Sequence, residues 1–323
     1  MAFKALGTVV TAAAVAGALA VAAKPTHAEY PNDKVLLNIV PFGAGGGTDR
    51  WARVFASSGF DFFENGMRIQ NRGGASGTIG WKHMLETKPD GYTVIMASPT
   101  PVMAALAEKK KAPFDPANVK IVCYYSVMKS TLMAPKGSAW ETWDKLLASL
   151  KTAEKKVTIG GTMTQVLGAV QALKQLGLQD KVIPVVYSGT GKAMNDYIGR
   201  HIDLIALTTS TAITMTDKHN AIFNASDLEY PKKAMAVLGD VPNAKKLGLK
   251  AYNPPRFFAM HPDTPDAQVA AMSDAIGKLL KHKPVVNLLG KLGEVIDYVP
   301  HDQAKDAYKE ILTVAKDNIV YFK

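Results

Sequence analysis

Residues 38–50 read NIVPFGAGGGTDR, and residues 71–80 read NRGGASGTIG. The first stretch predicts a strand over Val35–Val40, a break at Pro41-Phe42, four glycines within five residues, and a helix opened by Thr48. The second follows a short predicted strand, Met67–Gln70, and leads into another helix. Glycine has no Cβ, so backbone N–H groups approach a ligand closely there. A helix start adds unpaired N–H groups and about half a positive charge. Two strand–loop–helix units of this kind predict an anion site. Neither the G-x-G-x-x-G spacing nor a terminal Gly-Lys-Ser/Thr is present, so no nucleotide motif fits. A carboxylate becomes the better candidate. The plainer alternative is that the glycines only make tight βα turns; it weakens when two such loops occur together.

Outward from these loops the pattern alternates. Strand Thr93–Ala97 follows helix Ile79–Lys88, and strand-like Lys120–Met128 and Leu132–Pro135 follow a loop over residues 109–118. Helix Trp140–Lys151 places Trp143, Leu146, Leu147 and Leu150 on one face. Strands Val157–Gly160, Val182–Val186, Ile202–Leu207 and Ala234–Leu238 are predicted next, with a helix from Val166 to Leu176 that Gly177 ends. Thr264-Pro265 reads as a cap and first-turn pair for helix Asp266–Lys283, and helix Asp302–Asn318 closes the chain. This alternation predicts an α/β fold with layers around a mostly parallel sheet. Two crossings, near Val127–Leu132 and Ala251–Met260, divide it into two domains. The first is discontinuous, residues 29–127 plus 256–323; the second spans 128–255.

The N-terminus carries an early cation, Lys4, an Ala- and Val-rich run over Ala5–Ala23, and Thr26-His27-Ala28 before Glu29. This is the layout of a secretory signal peptide over residues 1–28, cleaved after Ala28, and predicts export. What remains is long enough for one large or two medium domains with real cores. The net charge of +10 is compatible with nucleic acid, anionic lipid or an anionic small molecule. The lysines are scattered and no basic helix is interleaved with aromatics, which argues against nucleic acid. The single cysteine, Cys123, has no internal disulfide partner and sits in an apolar run, where a buried inert thiol is expected.

PFGAGGGTD, then ENGMRIQNRGGASGTIG, then KPDGYTVIMAS occur in that order over Tyr30–Ser98. The set resembles the Bug (TctC-like) family, the extracytoplasmic solute receptors of tripartite tricarboxylate transporters, and a weaker likeness continues almost to the C-terminus. The resemblance implies a two-domain periplasmic-binding-protein fold, a type II-like Venus flytrap, with the ligand in the cleft. It implies contacts at Phe42, Ala44, Gly46, Gly47 and Thr48 in the first loop, and at Gly74, Ala75, Ser76, Gly77 and Thr78 in the second. Asp49, anionic itself, is assigned to loop order. Ser98 and Thr100 end the third strand, either as hydroxyl donors or as a strand-end turn.

From the second domain, Tyr187, Gly189 and Thr190 resemble the family's Tyr-Lys-Gly loop. Ser188 stands where lysine is common and Lys192 where proline is common. Lys192 either reaches a distal carboxylate or points to solvent. The loop Gly160–Gln165 lacks the family's Ser-x-x-His. Thr162, Thr164, Gln165 and Thr208 suggest neutral donors, and an ammonium ligand is disfavoured because no acid stands at Leu207. Arg256 lies at a crossing and either clamps a second carboxylate in a bidentate way or braces the hinge. An aromatic acid would need an apolar wall, for which Phe42, Tyr187 and Phe257 are the candidates.

The expected function is capture of a small organic carboxylate by hinge closure, and its delivery from the periplasm to the large and small membrane subunits of a tripartite transporter. The ligand would be a di- or tricarboxylate, or an aromatic acid. A monomer is expected, with no cofactor and no metal. The alternative is a receptor feeding a sensor kinase. A secreted hydrolase is the weaker rival, because there is no G-x-S-x-G elbow and no Cys/His cluster, and the histidines are scattered.

Overall fold

The computed structural model describes residues 30–108 and 112–319. The signal-peptide reading of residues 1–28 lies outside them, as do the start of the loop predicted from Lys109 and residues 320–323. Among the described residues no helix is long and apolar enough to cross a membrane.

Two sheets organise the chain. Strands β1 (Leu36–Val40), β2 (Met67–Asn71), β3 (Thr93–Ala97) and β4 (Lys120–Val127) belong to the first. The second contains β5 (Ser130–Pro135), β6 (Val157–Gly161), β7 (Val182–Val186), β8 (Leu204–Thr208) and β9 (His219–Asn224). Then β10 (Pro255–Met260) and β11 (Ile296–Val299) return to the first. The strand orders are β11-β4-β10-β3-β1-β2 and β7-β6-β8-β5-β9.

The expectation of mostly parallel sheets needs correction. Both sheets are mixed. The returning strand β10 inserts between β3 and β4 and runs antiparallel to both, and β5 runs against β8 and β9. Only β2-β1-β3 and β7-β6-β8 form the parallel blocks that βα units build.

Helices α1 (Gly47–Ser57), α2 (Thr78–Leu85) and α3 (Pro99–Glu108) follow the first three strands. In the second lobe lie α4 (Trp143–Thr152), α5 (Met163–Gln175), α6 (Thr190–Ile198), α7 (Thr209–Ala212) and α8 (Lys232–Leu238). The chain ends with α9 (Asp266–Lys281), α10 (Lys283–Lys291) and α11 (His301–Asn318). The predicted strand Ala234–Leu238 is therefore a helix. The run is too short for its period to show, and the residues it buries, Ala234 and Leu238, are one helical turn apart. The helix α3 was hidden by its two prolines, Pro99 and Pro101, which sit in its first turn where no N–H is needed. At α9, Pro265 takes the N-cap position itself, so Thr264 lies one residue too early to cap.

The first sheet is covered on both faces, and β10 shows why. Its Phe257 and Phe258, both fully buried, point to opposite sides, as period two requires. Phe258 packs with Phe55 and Tyr125; Phe257 packs with Trp81, Tyr124 and Tyr308. Each such ring contributes roughly 2 kcal/mol by burial. Phe257 is thus core and offers no wall to a ligand. In the second lobe, Trp143 stacks on Phe223 at 4.3 Å. The two crossings run side by side: Val127 pairs with Pro255, and the Met128 N–H donates to the Pro254 carbonyl at 2.8 Å.

Candidate functional site

Between the lobes lies a cavity of about 450 Å³. Its floor comes from the two glycine loops. In the first, α1 starts after Gly46, an extended N-cap residue with no side chain to satisfy the helix's opening amides. The adjacent acid does not satisfy them either. Asp49 turns back: its carboxylate accepts from the Gly45 N–H at 2.8 Å, from Arg53 Nε at 2.8 Å and from Asn71 Nδ2 at 3.0 Å. Burial opposes ionisation of Asp49, but these three donors outweigh it and hold its carboxyl below the usual range. The acid is spent on loop order, and the α1 amides stay free for an anion.

The second loop is locked onto the first. Asn71 Nδ2 also donates to the Phe42 carbonyl at 3.2 Å. A Cβ on Gly73 would stand 3.1 Å from both Gly43 N and Phe42 C, so any side chain there would push the two loops apart by a few tenths of an ångström. Residues 74–77 all have positive φ, including Ala75 at 44° and Ser76 at 54°. This left-handed run swings Ala75–Thr78 away from the cavity while Gly73 and Gly74 remain on its wall. Asn71→Ala removes both bridging hydrogen bonds. It is expected to cost about 1–3 kcal/mol in thermal unfolding and to weaken ligand binding about tenfold, by calorimetry.

Three more helix starts face the same space. Gly189 is the N-cap of α6 and Thr208 of α7, neither with a side-chain cap bond, and Thr162 is the N-cap of α5. Gln165 Oε1 accepts from the Thr162 N–H at 3.0 Å and the Thr162 side chain accepts from the Gln165 N–H, a capping box that, with the Thr164 N–H on Thr100 Oγ1, occupies the opening amides of α5. Among the described residues lining the cavity there is no carboxylate, and Lys192 is the one formal charge.

The predicted residues Phe42, Ala44, Gly46, Gly47, Thr48 and Gly74 line the cavity, as do Ser98, Thr162, Gln165, Gly189, Thr190 and Thr208. Others do not. Thr78 Oγ1 caps its own turn on the Ala75 carbonyl at 2.9 Å. Thr100 and Thr164 are buried and share a short hydroxyl–hydroxyl bond across the lobes, with the Thr164 N–H also on Thr100 Oγ1 at 3.2 Å. The Tyr187 hydroxyl donates to Asp196 at 2.7 Å. Gly43, Asn71, Gly73, Met128, Ser188, Gly191 and Lys192 line the cavity without having been among the predicted contacts. Lys192 carried a sequence signal, a cation where proline is common. Gly73 and Asn71 carried one as well, inside the second loop.

Arg256 belongs to the frame behind the site. It is 1% exposed and pairs with the buried Glu294 at 2.7 Å, with Ser126 Oγ at 3.3 Å from the same nitrogen. Burial works against the Glu294 charge, and the Arg256 guanidinium together with Ser210 outweighs it, holding the carboxyl below its ordinary range. Nearby Lys129, in the first crossing, is pushed down to about 8 by burial, with Glu294 opposing the shift. Gly47 separates Arg256 from the cavity: a Cβ there would meet Thr208 Oγ1 at 2.9 Å and Arg256 Nη2 at 3.3 Å. The lobes also touch where Arg50 Nη1 donates to the Ser210 carbonyl at 2.6 Å.

Residues 52–314 match the model of the tripartite tricarboxylate transporter family receptor. The chain belongs to this family. It is a solute-binding receptor of the TctC/Bug type, and receptors of this type are periplasmic. A UPF0065 protein from the TAR-I ttuE-ttuC' intergenic region of Agrobacterium vitis is 30% identical over 277 residues, covering 82% of this chain and 77% of that one. Among solved structures, a periplasmic transporter superposes with a TM-score of 0.77 at 25% identity, over 89% of this chain and 96% of its own. MatC from Rhodopseudomonas palustris with bound malate gives 0.74 at 21%, over 88% and 99%. The latter likeness concerns the fold, a two-domain receptor architecture.

Proposed function

We propose that the cavity holds the carboxylate of a small organic acid, a di- or tricarboxylate in preference to an aromatic acid. The observation that carries this reading is the convergence of two uncapped helix starts, those of α1 and α6, on a space whose described lining contains no acid and one lysine. Free amides and aligned dipoles favour an anion, and each contributes most where water is excluded. The malate held by the Rhodopseudomonas neighbour supports the same class. Phe42 remains as an apolar face, but Phe257 lies in the core, which weakens the case for an aromatic acid.

In this reading the domains divide at the paired crossings, residues 29–127 plus 256–323 against 128–255, and Met128–Pro254 is the hinge. The ligand bridges both lobes, so binding favours the closed arrangement. The exported receptor, cleaved after Ala28, then docks as a monomer on the membrane subunits of a tripartite transporter.

A thermal-shift panel on refolded, ligand-stripped protein tests the ligand class, with di- and tricarboxylates, aromatic acids and acidic amino acids as probes. A ligand at about 100 times its Kd adds about 2.7 kcal/mol, a rise of several degrees for a protein of this size. A flat panel on folded, stripped protein contradicts the carboxylate reading.

A further inference from the structure

A second cavity, about 340 Å³, opens on the hinge side of the molecule, away from the glycine loops. Both crossings contribute to it, Val127 from the first and Ala251–Pro255 from the second. The face of α11 that carries Ile311, Val314 and Ala315 makes its apolar wall, with Met103 of α3 opposite. Two carboxylates, Asp297 of β11 and Glu310 of α11, also line it; both are exposed, and neither has a salt-bridge partner among the described residues. Tyr124 lines it as well; it is 7% exposed and its hydroxyl has no hydrogen-bond partner. Burial pushes the Tyr124 phenol up, and the nearby Glu310 charge adds to the effect.

The charge pattern is the reverse of that in the interlobe cavity and of the molecule as a whole, which carries a net +10. Among the described residues nothing basic lines this space. An apolar body suits the walls, and a cationic head suits a lining that carries two exposed carboxylates. The volume is that of a small-molecule site. Its walls are anchored in both lobes: the Tyr252 N–H bonds to Ala225 in the second lobe at 3.0 Å and Asn253 Nδ2 to Asp227 at 2.7 Å, while Tyr124 and α11 belong to the first sheet's layers. We propose that this hinge-side cavity is a second ligand site, specific for a small organic ammonium with an apolar body.

Calorimetry with 2-phenylethylammonium on the full mature protein tests this, with 2-phenylethanol as the neutral comparison. Saturable binding of the ammonium is expected, and about 25-fold weaker binding of the alcohol, which loses two charge contacts in solvent at about fivefold each. Asp297→Asn and Glu310→Gln should each weaken the ammonium by about fivefold and leave the alcohol unchanged. Val314→Trp, at a half-exposed position on the rim, should fill the space and remove binding of both, with an unchanged unfolding temperature to show that the fold is intact. Absence of saturable ammonium binding overturns the proposal. So does binding that is indifferent to the two carboxylate substitutions, or that survives Val314→Trp in folded protein.

Discussion

Thr190→Asp is expected to weaken carboxylate binding about a hundredfold or more while leaving the unliganded protein at least as stable as before. Thr190 is the first residue of α6 and lines the interlobe cavity, and Gly189 before it offers no side-chain cap. An acid in a first helical turn is favourable by about 0.3–1 kcal/mol. The packing face of α6, carried by Ala193 and Tyr197, is untouched. The long contact from Gln165 Nε2 to Thr190 Oγ1, at 3.5 Å, accepts an aspartate oxygen equally well. Against a bound carboxylate the effect is opposite. Two like charges about 4 Å apart at an effective dielectric of about 20 repel by roughly 4 kcal/mol. Allowing for solvent screening in a half-open cleft, a loss of about a hundredfold or more is expected. Thr190→Asn keeps the shape without the charge and should lose less than about tenfold. Calorimetry gives the affinities and scanning calorimetry the stabilities. Binding by the aspartate variant within about threefold of the parent would mean that α6 does not face the anion.

The second large effect concerns stability. Arg256→Met leaves the Glu294 carboxylate buried without its partner, and should cost about 3–5 kcal/mol. Arg256→Met combined with Glu294→Met should recover most of that loss, because removing both charges removes the desolvation cost as well. Urea unfolding of the two variants and the parent measures both. A pH signature accompanies it. The folded carboxyl of Glu294 lies below its unfolded value of about 4.3, so its contribution is fully present above that pH. It is lost as pH falls through the lower, folded value. Glu294→Gln should therefore flatten the acid limb of the stability profile. A single Arg256→Met variant as stable as the parent would contradict the bracing role.

The glycine loops were legible because their signal is local. Pro41-Phe42 ends β1, and a glycine cluster directly before a helix start marks a tight turn with open amides. Which residues of the second loop face the cavity was not legible. The positive φ of Ala75 and Ser76 rotates the segment, and neither residue type announces a left-handed conformation. Thr100 and Thr164 show a second limit. A hydroxyl that binds a ligand and one that holds two lobes together have the same side chain, and only the packing decides between them. Arg256 is similar: its partner Glu294 lies thirty-eight positions away, and nothing between them marks the pairing. Residues 234–238 read as a strand because a short Ala-, Met- and Val-rich run has no readable period. The mixed sheets follow from a long-range event, the return of β10 between β3 and β4, which no local pattern contains.

In the proposed site an anion is held between the lobes, against helix starts. Calorimetry of the ligand-stripped protein tests it most directly, comparing the best carboxylate of the panel with its own neutral amide. Saturable carboxylate binding, with the amide weaker by about a hundredfold or more, is the expected result. Equal binding of acid and amide would contradict it.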